Sequence, residues 1–150
     1  MPRRPLDPKT QALKLLSRRE HSARELTRKL TARGITPEDA SAAVAHAASE
    51  DWQSDARYAG MLVRSRVAQG YGPMRIQSDL QQAGVPRDDI RAALDEAGVD
   101  WREHAIAAHQ KKFGALPNTS AERAKHYRYL QGRGFDGGQI AAALKGEVED

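Results

Sequence analysis

The chain uses one phrase three times in a constant register: Leu30-x-x-x-Gly34-Ile35, Leu80-x-x-x-Gly84-Val85 and Leu130-x-x-x-Gly134-Phe135, each copy 50 residues after the last. Beyond the phrase, Ala40, Ile90 and Ile140 keep one common offset and Val44, Leu94 and Leu144 another. A fixed period of this length with apolar positions in step marks a repeat architecture, and one unit has room for about three helices. The phrase itself reads as a helix stop. Its leucine sits on the last turn, the glycine takes the left-handed conformation, and the apolar residue after it folds back onto that turn. Turn and capping residues follow each stop, Thr36-Pro37-Glu38-Asp39, Pro86-Arg87-Asp88-Asp89 and Asp136-Gly137-Gly138, and an alanine-rich helix follows them. The expected fold is therefore all-α: three tandem three-helix repeats, at 1–52, 53–100 and 101–150, forming an elongated, curved solenoid. Aromatic residues are 5% of the chain, so alanine and leucine must fill the interior, which suits closely packed helices better than a sheet sandwich. A row of units that touch only their neighbours should exceed the radius of gyration of roughly 15 Å expected of a compact chain of this length.

Taken in order, Met1-Pro2-Arg3-Arg4-Pro5 reads as a loose basic arm, and Asp7-Pro8 opens the first helix, with Leu13 and Leu16 on one face beside Ala12 and Leu15. Ser22-Ala23-Arg24-Glu25 is a capping box that starts a second helix carrying Leu26 and Leu30. A third helix is expected from about Pro37 to His46. Asp55 opens the second repeat, whose first helix buries Ala59, Leu62 and Val63 with Tyr58 flanking that stripe. Gly70-Tyr71-Gly72-Pro73 breaks that helix and presets the next, where Ile76 and Leu80 repeat the positions of Leu26 and Leu30. Helices over about 87–96, 101–113 and 137–144 complete the set, with a further one opened by the capping box Thr119-x-x-Glu122. In that helix His126 takes the place of Leu26 and Ile76, which is expected to shift the core to Tyr127. The acidic end, Glu147-Val148-Glu149-Asp150, is expected to fray.

Catalysis finds no foothold in this sequence. It holds no cysteine, which removes disulfides, thiol nucleophiles and thiolate metal sites. His104 and His109 are five residues apart and point about 140° apart on a helix, and no HExxH is present, so no metal is expected. Gly70-x-Gly72 is too short for a nucleotide fingerprint and reads as a turn. Nearly every Asp and Glu falls at a helix start, where it complements the dipole, so no acid–base pair stands out. No cofactor is expected. No apolar run is long enough for a signal sequence or a membrane span, and a cytoplasmic protein is expected.

Binding is the better prospect. The net charge is +4, yet residues 1–34 hold ten Lys/Arg against three Asp/Glu, whereas residues 35–54 hold four acidic residues and no basic ones. Such a basic front suits nucleic acid or an acidic protein surface. A helix-turn-helix reading would place the second helix of each hairpin in the major groove by its N-terminus. That end carries Glu38 and Asp39, Asp88 and Asp89, or Asp136, which phosphates would repel. The candidate contacts are instead Arg18, Arg19, Arg24 and Arg28 in the first repeat, and Arg57, Arg64, Arg66 and Arg75 bordering the Tyr71 turn in the second. The competing reading of each arginine is ordinary solvated charge. On such a face, reversing Arg57 and Arg64 to glutamate is expected to leave stability unchanged. Tyr71, between two glycines in a loop, is expected to be an exposed anchor for a partner. Trp52 and Trp101, each at the end of a repeat, read as packing residues.

With these features assembled, the chain resembles the RecX family of recombination regulators over most of its length. The resemblance rests on Ala12-Leu13-x-x-Leu16-x-x-Arg19-x-His21-Ser22-x-x-Glu25-Leu26, on Asp55-x-x-Tyr58-Ala59 leading to Gly70-Tyr71-Gly72-Pro73-x-Arg75-Ile76-x-x-Asp79-Leu80, and on Tyr129-Leu130-x-x-Arg133-Gly134-Phe135 with Ile140. The middle segment is the most specific, because helix packing alone does not demand that order of residues. Asp79 departs from the family, which more often has Glu there. The resemblance implies a non-enzymatic protein that binds RecA, chiefly as the filament on single-stranded DNA; apart from the resemblance, a monomer is expected. It further implies inhibition of RecA's ATP hydrolysis, strand exchange and co-protease activities, with a role in DNA repair, homologous recombination and the SOS response. Weak direct contact with DNA is compatible with it, and a non-specific DNA-binding helical protein is the alternative.

Overall fold

A computed structural model describes residues 7–145, so the basic arm and the acidic end lie outside the described residues. The described residues form helices joined by short turns: α1 (Pro8–Arg18), α2 (Ala23–Ala32), α3 (Pro37–Ser49), α4 (Asp55–Ala68), α5 (Pro73–Gln82), α6 (Arg87–Glu96), α7 (Trp101–Phe113), α8 (Ser120–Arg133) and α9 (Gly137–Lys145). The all-α repeat fold is as expected, and α3 runs about a turn beyond His46.

Each copy of the repeated phrase is the helix stop its residues dictate. Leu30, Leu80 and Leu130 are all 0% exposed. The amide of the residue after each glycine donates back to that leucine's carbonyl, at 3.3 Å from Ile35, 3.1 Å from Val85 and 3.2 Å from Phe135. Each glycine amide donates three residues back, at 3.0 Å, and each glycine has a positive φ between 82° and 101°. These bonds satisfy carbonyls that the helix end would otherwise orphan, and the apolar residue closes over the turn.

The chain falls into two compact units. Of the described residues, the first holds those up to Met61 together with Leu80–Ala93; the second holds Leu62–Asp79 together with those from Leu94 onward. In the first, α1, α2 and α3 pack pairwise around Ala12, Leu15, Leu26, Leu30, Ile35, Ala40, Ala43 and Val44. Leu13 corrects the expectation for α1: it is 44% exposed, because burying Ala12, Leu15 and Leu16 turns position 13 outward. The capping box at Ser22 is half formed. The Glu25 amide donates to Ser22 Oγ at 3.1 Å, but the Glu25 carboxylate pairs with Arg19 at 2.7 Å rather than reaching back. The first α2 amide, that of Ala23, donates instead to Asp55 Oδ1 at 2.9 Å, and Ser22 Oγ donates to the Ala83 carbonyl at 2.7 Å. Buried His21 donates Nδ1–H to the Arg19 carbonyl at 2.9 Å and accepts at Nε2 from Lys29 at 3.0 Å, which fixes a neutral ring. Burial pushes its pKa below the ordinary histidine value, and the Arg19 and Lys29 charges push the same way.

In the second unit, α7, α8 and α9 pack pairwise around Ala105, Leu130, Phe135, Ile140, Ala143 and Leu144. The expected shift of the core to Tyr127 does not occur: Tyr127 is 38% exposed and His126 is buried. His126 keeps the place of Leu26 and Ile76 by stacking on Phe113, with ring centres 3.6 Å apart, and by sharing a proton between its Nδ1 and His109 Nε2 at 2.9 Å. The shared proton satisfies His126 Nδ1, which lowers the cost of placing a polar ring at an apolar position.

Candidate partner-binding surface

The Gly70-Tyr71-Gly72-Pro73 segment is a further stop of the same type. The Gly70 amide donates to Val67 at 2.9 Å and the Tyr71 amide to Arg66 at 3.0 Å, ending α4. Pro73 then begins α5, whose leading amides need acceptors. The end of α8 supplies them: Gly72 donates to the Arg133 carbonyl at 2.7 Å and Met74 to the Gly134 carbonyl at 2.9 Å. The positive end of α5 thus sits against the negative end of α8, a favourable arrangement of helix dipoles. Both glycines are required by this approach. A Cβ on Gly72 would lie 2.5 Å from the Gly134 carbonyl group, and one on Gly134 would lie 2.6 Å from the Arg75 amide nitrogen.

Tyr71 is therefore not the open loop anchor its neighbours suggested. It is half-buried, with the Arg133 guanidinium 3.9 Å from its ring centre and that of Arg75 at 4.6 Å. Its carbonyl accepts Nε2–H of His104 at 3.2 Å, and burial lowers the His104 pKa, partly offset by this bond. Arg133 also donates to the Gln69 carbonyl, just after the end of α4. Asp79 receives Arg66 at 3.0 Å and Arg75 at 3.3 Å, so a single carboxylate orients two guanidinium groups. The structure brings together Arg66, Tyr71 and Arg75, with Arg133, His104 and Asp79 holding them. Arg133 and His104 are not among the site residues expected from the sequence; the available signals for Arg133 were its place directly before the third repeated glycine and its part in the motif that carries the resemblance.

The remaining candidates divide by what holds them. Arg64 is exposed and, among the described residues, has no ion-pair partner; the same is true of Arg18 and Arg28. Arg57 is not a loose surface cation: its Nε donates to Glu20 at 2.9 Å and its Nη2 to the Asp51 carbonyl at 2.7 Å. Among the described residues Asp51 is the one non-glycine held at positive φ, 60°, so Arg57 clips a strained turn and its reversal will not spare stability. Arg19 is held by both oxygens of Glu25, which raises the Arg19 pKa, and Arg24 lies against Gly84 with a long contact of 3.4 Å to the Gln82 carbonyl. Trp52 and Trp101 pack edge-on against His46 and His104, at 5.3 Å and 5.8 Å. Among the described residues no three His, Asp or Glu side chains group as metal ligands, and no helix is long and apolar enough to cross a membrane.

Nine helices among the described residues, punctuated by the same stop at a fixed period, define an all-α protein of tandem three-helix repeats. Models of the first, second and third three-helix domains of RecX match residues 9–46, 54–94 and 100–144. The regulatory protein RecX of Xanthomonas campestris pv. campestris (strain B100) is 45% identical over 144 residues, 95% of this chain and 89% of that protein. That of Stenotrophomonas maltophilia (strain R551-3) is 46% identical over 151 residues, 99% of this chain and 93% of that protein. The chain belongs to the RecX family. Its fold matches the crystal structure of RecX from Lactobacillus salivarius with a TM-score of 0.76 at 20% identity, covering 92% of each chain. A second crystal structure, of regulatory protein RecX, matches at 0.78 with 21% identity, covering 94% of this chain and 74% of that one.

Proposed function

We propose that this chain is a non-enzymatic regulator that binds RecA, chiefly as the filament on single-stranded DNA, and inhibits its ATP hydrolysis, strand exchange and co-protease activities. It acts as a cytoplasmic monomer in DNA repair and recombination, with repeats bounded at 1–52, 53–100 and 101–150. Membership of the family along nearly the whole chain carries this reading. The Tyr71 turn is its central contact: Arg66 and Arg75 are oriented by Asp79, Tyr71 is held between guanidinium groups, and exposed Arg64 adds charge nearby in sequence. Oriented arginines beside an aromatic ring are the residue types that dominate protein interfaces. Arg18 and Arg28 offer a second contact on the first unit.

The test is the rate of DNA-dependent ATP hydrolysis by a cognate RecA, with a pulldown on RecA with and without single-stranded DNA. Slowing at or below stoichiometric amounts is expected, with no hydrolysis by the protein itself. An unchanged rate at several-fold excess would overturn the reading.

The exposed, unpaired Arg18, Arg28 and Arg64 also favour a second reading, in which the chain binds bare DNA without sequence preference. Tight binding to bare DNA at physiological salt, lost steeply as salt rises, would select it.

A further inference from the structure

In the second unit, the end of α4, the outer half of α7 and the end of α8 enclose a cleft of about 360 Å³. Lys111 and Lys112 of α7 and Arg133 of α8 converge on it beside Tyr129, His104 and Gln69, and among the described residues no carboxylate lines it. Two lysines in the last turn of α7 complement that helix's dipole, which explains their place on α7 but not their meeting a third cation from α8. Like charges gathered in a concavity without a counter-charge repel one another, and an anion relieves that repulsion. Arg133 is fixed beside the cleft by the bond from its Nη2 to the Gln69 carbonyl.

The anion's remaining chemistry is set by Tyr129. This half-buried ring lies edge-on to Phe113 at 5.4 Å, with Lys112 Nζ at 5.3 Å and the Arg133 guanidinium at 5.8 Å from its centre. An aromatic platform between cations suits a planar base joined to a phosphate, and the volume lies within the range of small-ligand sites, roughly 300–1,000 Å³. We propose that this cleft binds a nucleoside phosphate, with the phosphate drawn to Lys111, Lys112 and Arg133 and the base set against Tyr129. A free nucleotide and a nucleotide within a single strand share this chemistry. The proposal does not rest on RecA as partner, and a failed ATPase assay leaves it standing.

Nuclear magnetic resonance titrations of the full chain with ADP, inorganic phosphate and an oligothymidylate test it, alongside Lys111→Ala/Lys112→Ala and Tyr129→Leu. ADP is expected to shift the resonances of residues 104, 111, 112 and 129, and the double lysine variant, altered only at exposed side chains, should bind at least tenfold more weakly. Tyr129→Leu should weaken ADP while sparing inorganic phosphate; should that variant fail to fold, the site still stands or falls on the lysine variant and the shift map. Binding of both ADP and oligothymidylate here makes a free nucleotide a sufficient ligand; binding of the oligomer alone, lost in the lysine variant, assigns the site to a strand. Absence of binding by every probe, or binding unchanged in the lysine variant, overturns the proposal. Phosphate binding as tightly as ADP, with Tyr129→Leu without effect, overturns the base contact and with it the nucleoside assignment.

Discussion

Arg57 and Arg64 carry the same charge on the same helix, yet reversing them should have opposite consequences. Arg57→Glu removes the bonds to Glu20 and to the Asp51 carbonyl and sets two carboxylates face to face. For a half-exposed pair this should cost about 1–2 kcal/mol, read as a lower midpoint in urea denaturation. Arg64→Glu should stay within about 0.5 kcal/mol in the same measurement, since that side chain is exposed and unpaired. If Arg64 meets the filament, its reversal should weaken binding tenfold or more, about 1–3 kcal/mol. No sequence rule separates the two residues: each is an arginine on a polar helical face, and only the chain that returns as Glu20 and Asp51 makes one of them structural. Tyr71 is a similar case. Its flanking glycines signal a turn correctly, but the ring's cover comes from Arg133, far along the chain, and a local reading sees an exposed anchor.

At the scale of elements, the docking of α5 on α8 should tolerate no added methyl group. Gly72→Ala must displace the Gly134 carbonyl, which breaks the caps of α5 as well as the packing; a loss of more than about 2 kcal/mol is expected by thermal or urea denaturation. The buried histidines give these elements a pH dependence. Burial depresses the pKa values of His21, His104 and His109 below the ordinary value near 6.5, so the folded chain binds fewer protons than the unfolded chain in that range. Their contribution to stability should be complete above about pH 6.5 and fall as pH drops below it, toward the folded pKa values. Melting temperatures between pH 7.5 and 5 check this, and a flat profile would contradict it. The helix stops and most helix bounds were legible because leucine, glycine and an apolar residue at fixed spacing leave the backbone few choices. His126 was not, because a buried histidine is defined by its partner, and the stack on Phe113 with the bond to His109 has no local signature.

For the molecule as a whole, the three equivalent leucines give the repeat an energetic test. Leu30, Leu80 and Leu130 are buried alike, so each change to alanine should cost about 2–5 kcal/mol, measured one at a time by denaturation. A position that loses much less would not be working as its counterparts do. The period announced the architecture because each copy must solve the same local problem, whereas the candidate surface depends on pairings that differ from copy to copy: Asp79 serves arginines in one place and Asp55 caps α2 in another. The end-to-end seating of α5 on α8 also bears on how the chain is made. A ribosome delivers Gln69 well before Arg133, which lies 64 residues later, and at roughly 5–20 residues per second that interval lasts several seconds. Throughout it the leading amides of α5 have only water to bond and Tyr71 lacks the Arg133 guanidinium, while the His104 imidazole that meets its carbonyl arrives about halfway. The turn proposed to meet the partner is thus finished only once α8 is made, and a nascent chain halted before α8 would display it without its Arg133 cover.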